Sequence, residues 1–245
     1  MPGREHLMRI AAFSDIHGNL HALQAVLADI AARGADRVVC LGDLVGYGAF
    51  PNEVIERIRT AGIPTLAGNY DDGVGFDRED CGCAYRTADE RERGDRSLRS
   101  TRRVVTAENK AWLRALPGEL RFQGDGQRVL CVHGSPRRIN EYLFEDRPEA
   151  SLRRIVAAAD AQAILVGHTH LPYHKLLDAA HLINVGSAGK PKDGDPRAGY
   201  ALVELADQVS ATFPRVAYDV EAAAAAIEAA PVLPNAFAEA LRTAR

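Results

Sequence analysis

Most of the side chains able to do chemistry fall in five short motifs, each beside a glycine. They are Asp15-Ile16-His17, Gly42-Asp43, Gly68-Asn69-Tyr70-Asp71, Val132-His133-Gly134 and Gly167-His168-Thr169-His170. Singly, most are weak signals. Asp-x-His and Gly-Asp occur in many surface turns, Asn69 suits a turn-capping amide, and a lone histidine at a strand end is usually just hydrogen-bonded. Two alternating histidines after the apolar Ala163–Val166 run are a firmer metal signal. The order of the motifs, each at the exit of an apolar run, makes them a set. The set offers two carboxylates (Asp15, Asp43), one amide oxygen (Asn69) and four imidazoles (His17, His133, His168, His170), with no thiolate. That exceeds what one zinc needs and suits two five- or six-coordinate divalent ions sharing a carboxylate. Two ions about 3.5–4 Å apart clamp a phosphate, lower the pKa of a bridging water and stabilise both oxygens of an in-line displacement. Two carboxylates neutralise only half the charge of two dications. A chain of formal net charge −3 can therefore hold a cationic pocket.

The elements that must position these residues follow from periodicity. Arg9 to Phe13 reads as a strand, then a helix from Asn19 to Arg33 with Asn19 as N-cap and Gly34 as stop. A second strand spans Arg37 to Leu41. A helix opens at Pro51 and closes at Gly62, and Ile63 to Leu66 is expected as a third strand. Further strands are expected at Arg128 to Val132, Ala163 to Val166, His181 to Val185, Tyr200 to Leu205 and Val209 to Val216. Two βα units imply parallel pairing, and the late consecutive strands add an antiparallel part. The fold class is α/β with a mixed or doubled sheet. The polar stretch at about 70–110 reads as a largely helical, Arg-rich insertion, either a solvated salt-bridged surface or a cap that gathers an anion. An Ala-rich helical tail begins near residue 219 with no chemistry assigned, and 1–245 is expected to be a single domain. Ligands of open α/β sheets sit at the carboxyl ends of strands, where all five motifs fall.

The motif set resembles the calcineurin-like metallophosphoesterase superfamily over residues 9 to 170. The segment from Asn184 to Gly189 and the following Pro-Lys-Asp-Gly-Asp-Pro-Arg-Ala resemble its small bacterial and archaeal phosphodiesterase-like branch. The resemblance implies two packed mixed β-sheets flanked by helices. It also implies a first metal on Asp15, His17, Asp43 and His170, and a second on Asp43, Asn69, His133 and His168, with Asp43 bridging. Manganese is the first expectation, with iron, zinc, cobalt or nickel as alternatives.

One departure stands out. Many superfamily members carry a histidine after the asparagine as the leaving-group acid, and here the position is Tyr70, with Asp71 expected to orient it. A phenol with a pKa near 10 donates reluctantly, which suits phosphoanhydrides or stabilised diesters better than a phosphoserine. Tyr70 is equally read as a residue packing at the pocket rim. Arg137 is a candidate bidentate phosphate contact. Cys81-Gly82-Cys83 reads as two free or redox-active thiols, because no second pair stands at zinc-ribbon spacing. His21 is read as surface or supporting, His174 and His181 receive no role, and His6 is expected in a disordered tail.

The 47% hydrophobic content excludes a disordered chain, and no apolar run reaches membrane-spanning length. The N-terminal apolar stretch ends too early for a signal peptide, and four cysteines fit a reducing cytoplasm. The charge balance argues against long nucleic acid. The leading expectation is a cytoplasmic phosphoesterase acting on a small phosphodiester or nucleotide phosphoanhydride. A dinucleoside polyphosphate hydrolase, a phosphomonoesterase or protein phosphatase, and a non-catalytic protein-binding scaffold are the alternatives.

Overall fold

The computed structural model describes residues 7–245, so the expectation for His6 lies outside the described residues. In chain order the elements are β1 (Met8–Phe13), α1 (Leu20–Arg33), β2 (Arg37–Cys40), α2 (Pro51–Ala61), α3 (Asn69–Gly75), α4 (Ala88–Val104) and α5 (Ala107–Arg114). Then come β3 (Glu119–Gly124), β4 (Gln127–Val132), α6 (Glu149–Ala157), β5 (Ala163–Val166), β6 (Tyr173–Leu177) and β7 (Ala180–Asn184). The chain ends with β8 (Ala198–Gly199), β9 (Ala201–Leu205), β10 (Ser210–Thr212), β11 (Arg215–Val216), α7 (Val220–Ala229) and α8 (Ala236–Thr243).

Two mixed sheets pack face to face, as expected. One runs β10-β9-β1-β2, the other β3-β4-β5-β7-β6, and a β11-β8 pair stands apart. Side-chain alternation builds the layers. Ile10 and Ala12 of β1 face Val129, Cys131, Leu165 and Ile183 of the second sheet, while Ala11 and Phe13 face α1 and α2 through Leu23, Val26, Val54 and Ile58. The outer face of the second sheet is covered by Leu152, Ile155 and Val156 of α6. Truncating Leu165, which is fully buried between the sheets, to alanine costs about 2–5 kcal/mol. Among the described residues no helix is long and apolar enough to cross a membrane.

The caps fall where expected. Asn19 Oδ1 accepts the Ala22 N–H at 3.1 Å, and Gly62 closes α2 at φ +62°. Two strand expectations need correction. Residues 63–66 form only an isolated bridge, Cys40 with Thr65, because the chain turns away at Ala67 to meet the Pro117 carbonyl. The run 209–216 divides into β10 and β11, with Pro214, which has no N–H for a ladder, between them. The 70–110 stretch supplies α3 and α4 and the start of α5. The C-terminal α7 and α8 pack through Phe237 onto Tyr47, in the loop after Asp43.

Candidate metal centre

The parallel pairs β1–β2 and β4–β5 end side by side, and four of the five motifs leave from those ends, while Gly68–Asp71 follows the isolated bridge at Thr65. The sharp exits need unusual backbone. Asp15, His17, Asp43, His168 and His170 all lie at φ between +49° and +65°. Non-glycine residues held there cost about 1–3 kcal/mol each, and such strain gathers at functional sites. At Gly68 a side chain would collide with the Asp43 carboxylate, so only glycine lets the two loops approach.

The seven donors converge and are buried. Asp15, His17 and His170 form one group able to hold a metal ion, and Asp43, His133 and His168 form a second. Asn69 Oδ1 lies 3.0 Å from His133 Nε2, which adds it to the second group. Each carboxylate is split between two tasks. Asp15 Oδ2 accepts the His168 N–H, and Asp43 Oδ1 accepts the Tyr70 N–H at 2.8 Å. The other oxygens face the imidazoles. Asp15 Oδ1 stands 3.2 Å from His170 Nε2, and Asp43 Oδ2 stands 3.6 Å from His17 Nε2 and 3.4 Å from His133 Nε2.

The histidines are aimed in the same way. Nδ1 of His17, His133 and His170 donates to the carbonyls of Val45, Leu41 and Lys190, leaving each Nε2 turned inward. Burial drives His168 and His170 down to about 3 and lowers His17 too, so their rings are neutral. Two bare lone pairs, on His17 and His170, therefore face each other at 3.3 Å. Asp15 Oδ1 and His168 Nε2 are buried with no hydrogen-bond partner. Bare lone pairs and orphaned acceptors around one buried point fit cations, and nothing else in the arrangement satisfies them.

A model of the Calcineurin-like phosphoesterase superfamily domain matches residues 8–208. The chain belongs to that superfamily. This phosphoesterase is 36% identical over 232 residues to uncharacterized protein MJ0912 of Methanocaldococcus jannaschii, covering 87% of this chain and 89% of that one. It is 27% identical over 208 residues to phosphodiesterase YfcE of Escherichia coli K12, covering 81% and 88%. The crystal structure of a metallophosphoesterase from Sphaerobacter thermophilus superposes with a TM-score of 0.77 at 32% identity, covering 97% of this chain and 99% of that one. The phosphoesterase is thus a metal-dependent phosphoester hydrolase.

The other expected site residues lie as follows. Tyr70 is fully buried, its ring 5.3 Å from the His17 ring and 4.9 Å from Tyr47, its hydroxyl 3.5 Å from the Gly94 carbonyl of α4. Burial, together with the nearby Tyr47, raises its pKa well above 10. Asp71 accepts the N–H of Leu44 at 2.9 Å and of Gly68 at 3.0 Å, tying the second motif to the third. Arg137 is paired with Glu141, which that hydrogen bond chiefly holds down to about 2. His21 packs edge-on to Phe50.

Sequence reasoning missed the supports. Ser187 Oγ donates to the Asp15 carbonyl at 2.7 Å, and Asn184 Nδ2 donates to the Gly167 carbonyl at 2.9 Å, so the 184–189 segment braces the Asp15–His17 and Gly167–His170 loops. It also missed Lys190, buried with its ammonium 4.8 Å from the Tyr47 ring centre, and the exposed Lys192, whose charge helps to depress His168 and His170. The signal was present, since both lysines sit in the segment after Gly189 that carries the branch resemblance. Tyr142 was missed as well. Its ring lies tilted against that of His168, with the centroids 3.9 Å apart.

Proposed function

We propose that this phosphoesterase hydrolyses a small, soluble phosphodiester or a nucleotide phosphoanhydride at a pair of divalent ions. Asp15, His17, Asp43 and His170 would hold one ion, and Asp43, Asn69, His133 and His168 the other. The observation that carries this reading is Asp43 Oδ2, which reaches an imidazole of each group within 3.6 Å and so suits a bridge. When bound, such a pair supplies Lewis acidity, an activated water and charge for both the attacking and the leaving oxygen. Manganese is the first ion to test, since supply and geometry rank the candidates more than affinity does.

The protein's own groups do the rest. The backbone N–H groups of His168 and Tyr70 fix the two carboxylates, and the three carbonyls behind His17, His133 and His170 fix the rings. Lys192, joined by Lys190 when that amine is protonated (burial pulls it down to about 7), adds positive charge for a phosphate, whereas the Arg137 fork is committed to Glu141. Tyr70, buried with a raised pKa and turned toward Gly94, acts by packing behind His17. With no histidine at position 70, leaving groups that need little protonation are favoured. The name of the YfcE relative supports the diester class.

The test is a panel of an aryl phosphodiester, an aryl phosphomonoester, a dinucleoside polyphosphate and a phosphopeptide, each with manganese, iron, zinc, cobalt or nickel. Turnover of the diester or polyphosphate well above the phosphopeptide is expected. No turnover with any ion, with unchanged folding of Asp43→Ala, would leave the scaffold reading in its place.

A further inference from the structure

Cys81 and Cys83 lie outside the seven donors yet grip one of them. Their Sγ atoms stand 3.0 Å apart, and Gly82 between them, at φ +70°, turns the chain so that the two side chains meet. Asn69 Nδ2 donates to Cys83 Sγ at 3.2 Å and to the Cys81 carbonyl at 3.1 Å. Those two bonds use both amide hydrogens and leave Oδ1 facing His133. Cys83 is half-buried, while Cys40 and Cys131 are buried in strands of the two sheets.

We propose that Cys81 and Cys83 form a reversible oxidation site for hydroperoxides, and that their disulfide loosens the Asn69 ligand. The second half rests on the metal-centre reading above. The first rests on the sulfur pair alone. The more accessible Cys83 sulfur attacks one oxygen of hydrogen peroxide. An S–O bond forms, the O–O bond breaks, and the departing hydroxide takes the thiol proton and leaves as water. The Cys81 sulfur then attacks the Cys83 sulfenic sulfur. The S–S bond forms, the S–O bond breaks, and a second water leaves with the Cys81 proton. Two thiols have lost two electrons, and the peroxide has gained them. The Cys83 sulfur is drawn toward Cys81 to bonding distance, about 2.05 Å, and no longer accepts the Asn69 N–H as a thiol does. The Cys81 carbonyl alone then holds the amide. Losing such an outer partner of a ligand weakens metal binding about 10–100-fold.

The test uses the full chain loaded with manganese. It is treated with hydrogen peroxide, unfolded, alkylated and cut with trypsin, which places both cysteines in one peptide, residues 79–86, with no other thiol. The proposal expects that peptide to lose two hydrogens, to resist alkylation and to recover with dithiothreitol, while Cys40 and Cys131 stay alkylatable. Metal retained against a chelator should weaken about 10–100-fold in the oxidised protein and return on reduction. In Cys81→Ser, which keeps the Cys81 carbonyl, Cys83 should stop at a sulfenic acid trapped by dimedone. A peptide that stays alkylatable, or that passes only to sulfinic acid, overturns the oxidation site. A disulfide form that keeps metal as tightly as the dithiol overturns its coupling to Asn69. Failure of the reduced protein to turn over any phosphoester would sink the functional reading without touching the peptide masses.

Discussion

Asp15 Oδ2 accepts the backbone N–H of His168 at 3.0 Å, fastening together two residues 153 positions apart, in the loops that follow β1 of one sheet and β5 of the other. The same carboxylate keeps Oδ1 free beside His170 Nε2. One oxygen is structural and the other chemical, and an amide separates them. Asp15→Asn can still accept the His168 N–H through its carbonyl oxygen but presents an NH2 where a metal needs a lone pair. It is expected to fold, to lose the first ion and to lose turnover by more than the roughly 100-fold that marks loss of an outer partner. Asp15→Ala also strands the His168 N–H, at a further cost of about 1–3 kcal/mol in stability. Metal analysis after gel filtration, with thermal unfolding of both variants, separates the two roles.

Cations should also stabilise the fold. The His17 and His170 lone pairs face each other, and five of the donors sit in left-handed backbone, so an ion that binds only the folded chain relieves the first cost and offsets the second. Metal at 100 times its Kd adds about 2.7 kcal/mol, which in a chain of this size corresponds to about 5–10 °C in Tm. A chelator is expected to lower Tm by that amount, in a manner that depends on metal concentration. An unchanged Tm counts against buried metal sites.

Tyr70 offers a clean separation of chemistry from packing. Its hydroxyl makes one long bond to Gly94, while its ring fills the space between His17 and Tyr47. Tyr70→Phe is expected to change turnover of aryl and alkyl esters alike and by less than tenfold, and Tyr70→Ala to cost about 3–5 kcal/mol of stability. A selective loss with the alkyl ester in Tyr70→Phe would instead make Tyr70 the acid.

The convergence of the donors was legible because each motif contains or adjoins a glycine after an apolar run, so chain order alone put them at one edge. The two-sheet packing was legible only in part. β3 (residues 119–124), with Glu119, Arg121 and Gln123 on one face, lacks a continuous apolar run, and β6 (residues 173–177) holds His174 and Lys175. Supports such as Ser187, and the thiol of Cys83 against Asn69, depend on loops closing across the sheets. No local periodicity encodes that closure. Arg137 looked like a phosphate contact from its place after His133, but a glutamate four residues on, at the spacing of one turn, competes for its guanidinium.

Lys192 tests the electrostatic part of the site. It is exposed, and its charge is felt by His168 and His170. Lys192→Gln is expected to raise KM for an anionic substrate several-fold with kcat little changed, an effect that shrinks as salt screens the charge. A fall in kcat at unchanged KM would place the lysine in the chemical step.

The histidine pair on the β6–β7 hairpin gives a pH signature away from the metals. His174 Nε2 and His181 Nδ1 lie 2.8 Å apart, so one ring must donate and the other accept. Burial lowers His174, and burial with the charge of His174 lowers His181, both from 6.5. The unfolded chain therefore binds more protons than the folded one just below pH 6.5, and stability is complete above that value and lost as pH falls through the folded pKa values. Carboxylates titrate lower still, so the informative quantity is a difference. The urea midpoint of the parent should drop between pH 7 and 5 by more than that of His181→Gln, which keeps a hydrogen-bonding side chain but carries no titrating ring. Equal pH slopes in parent and variant would show that the pair does not link protonation to folding.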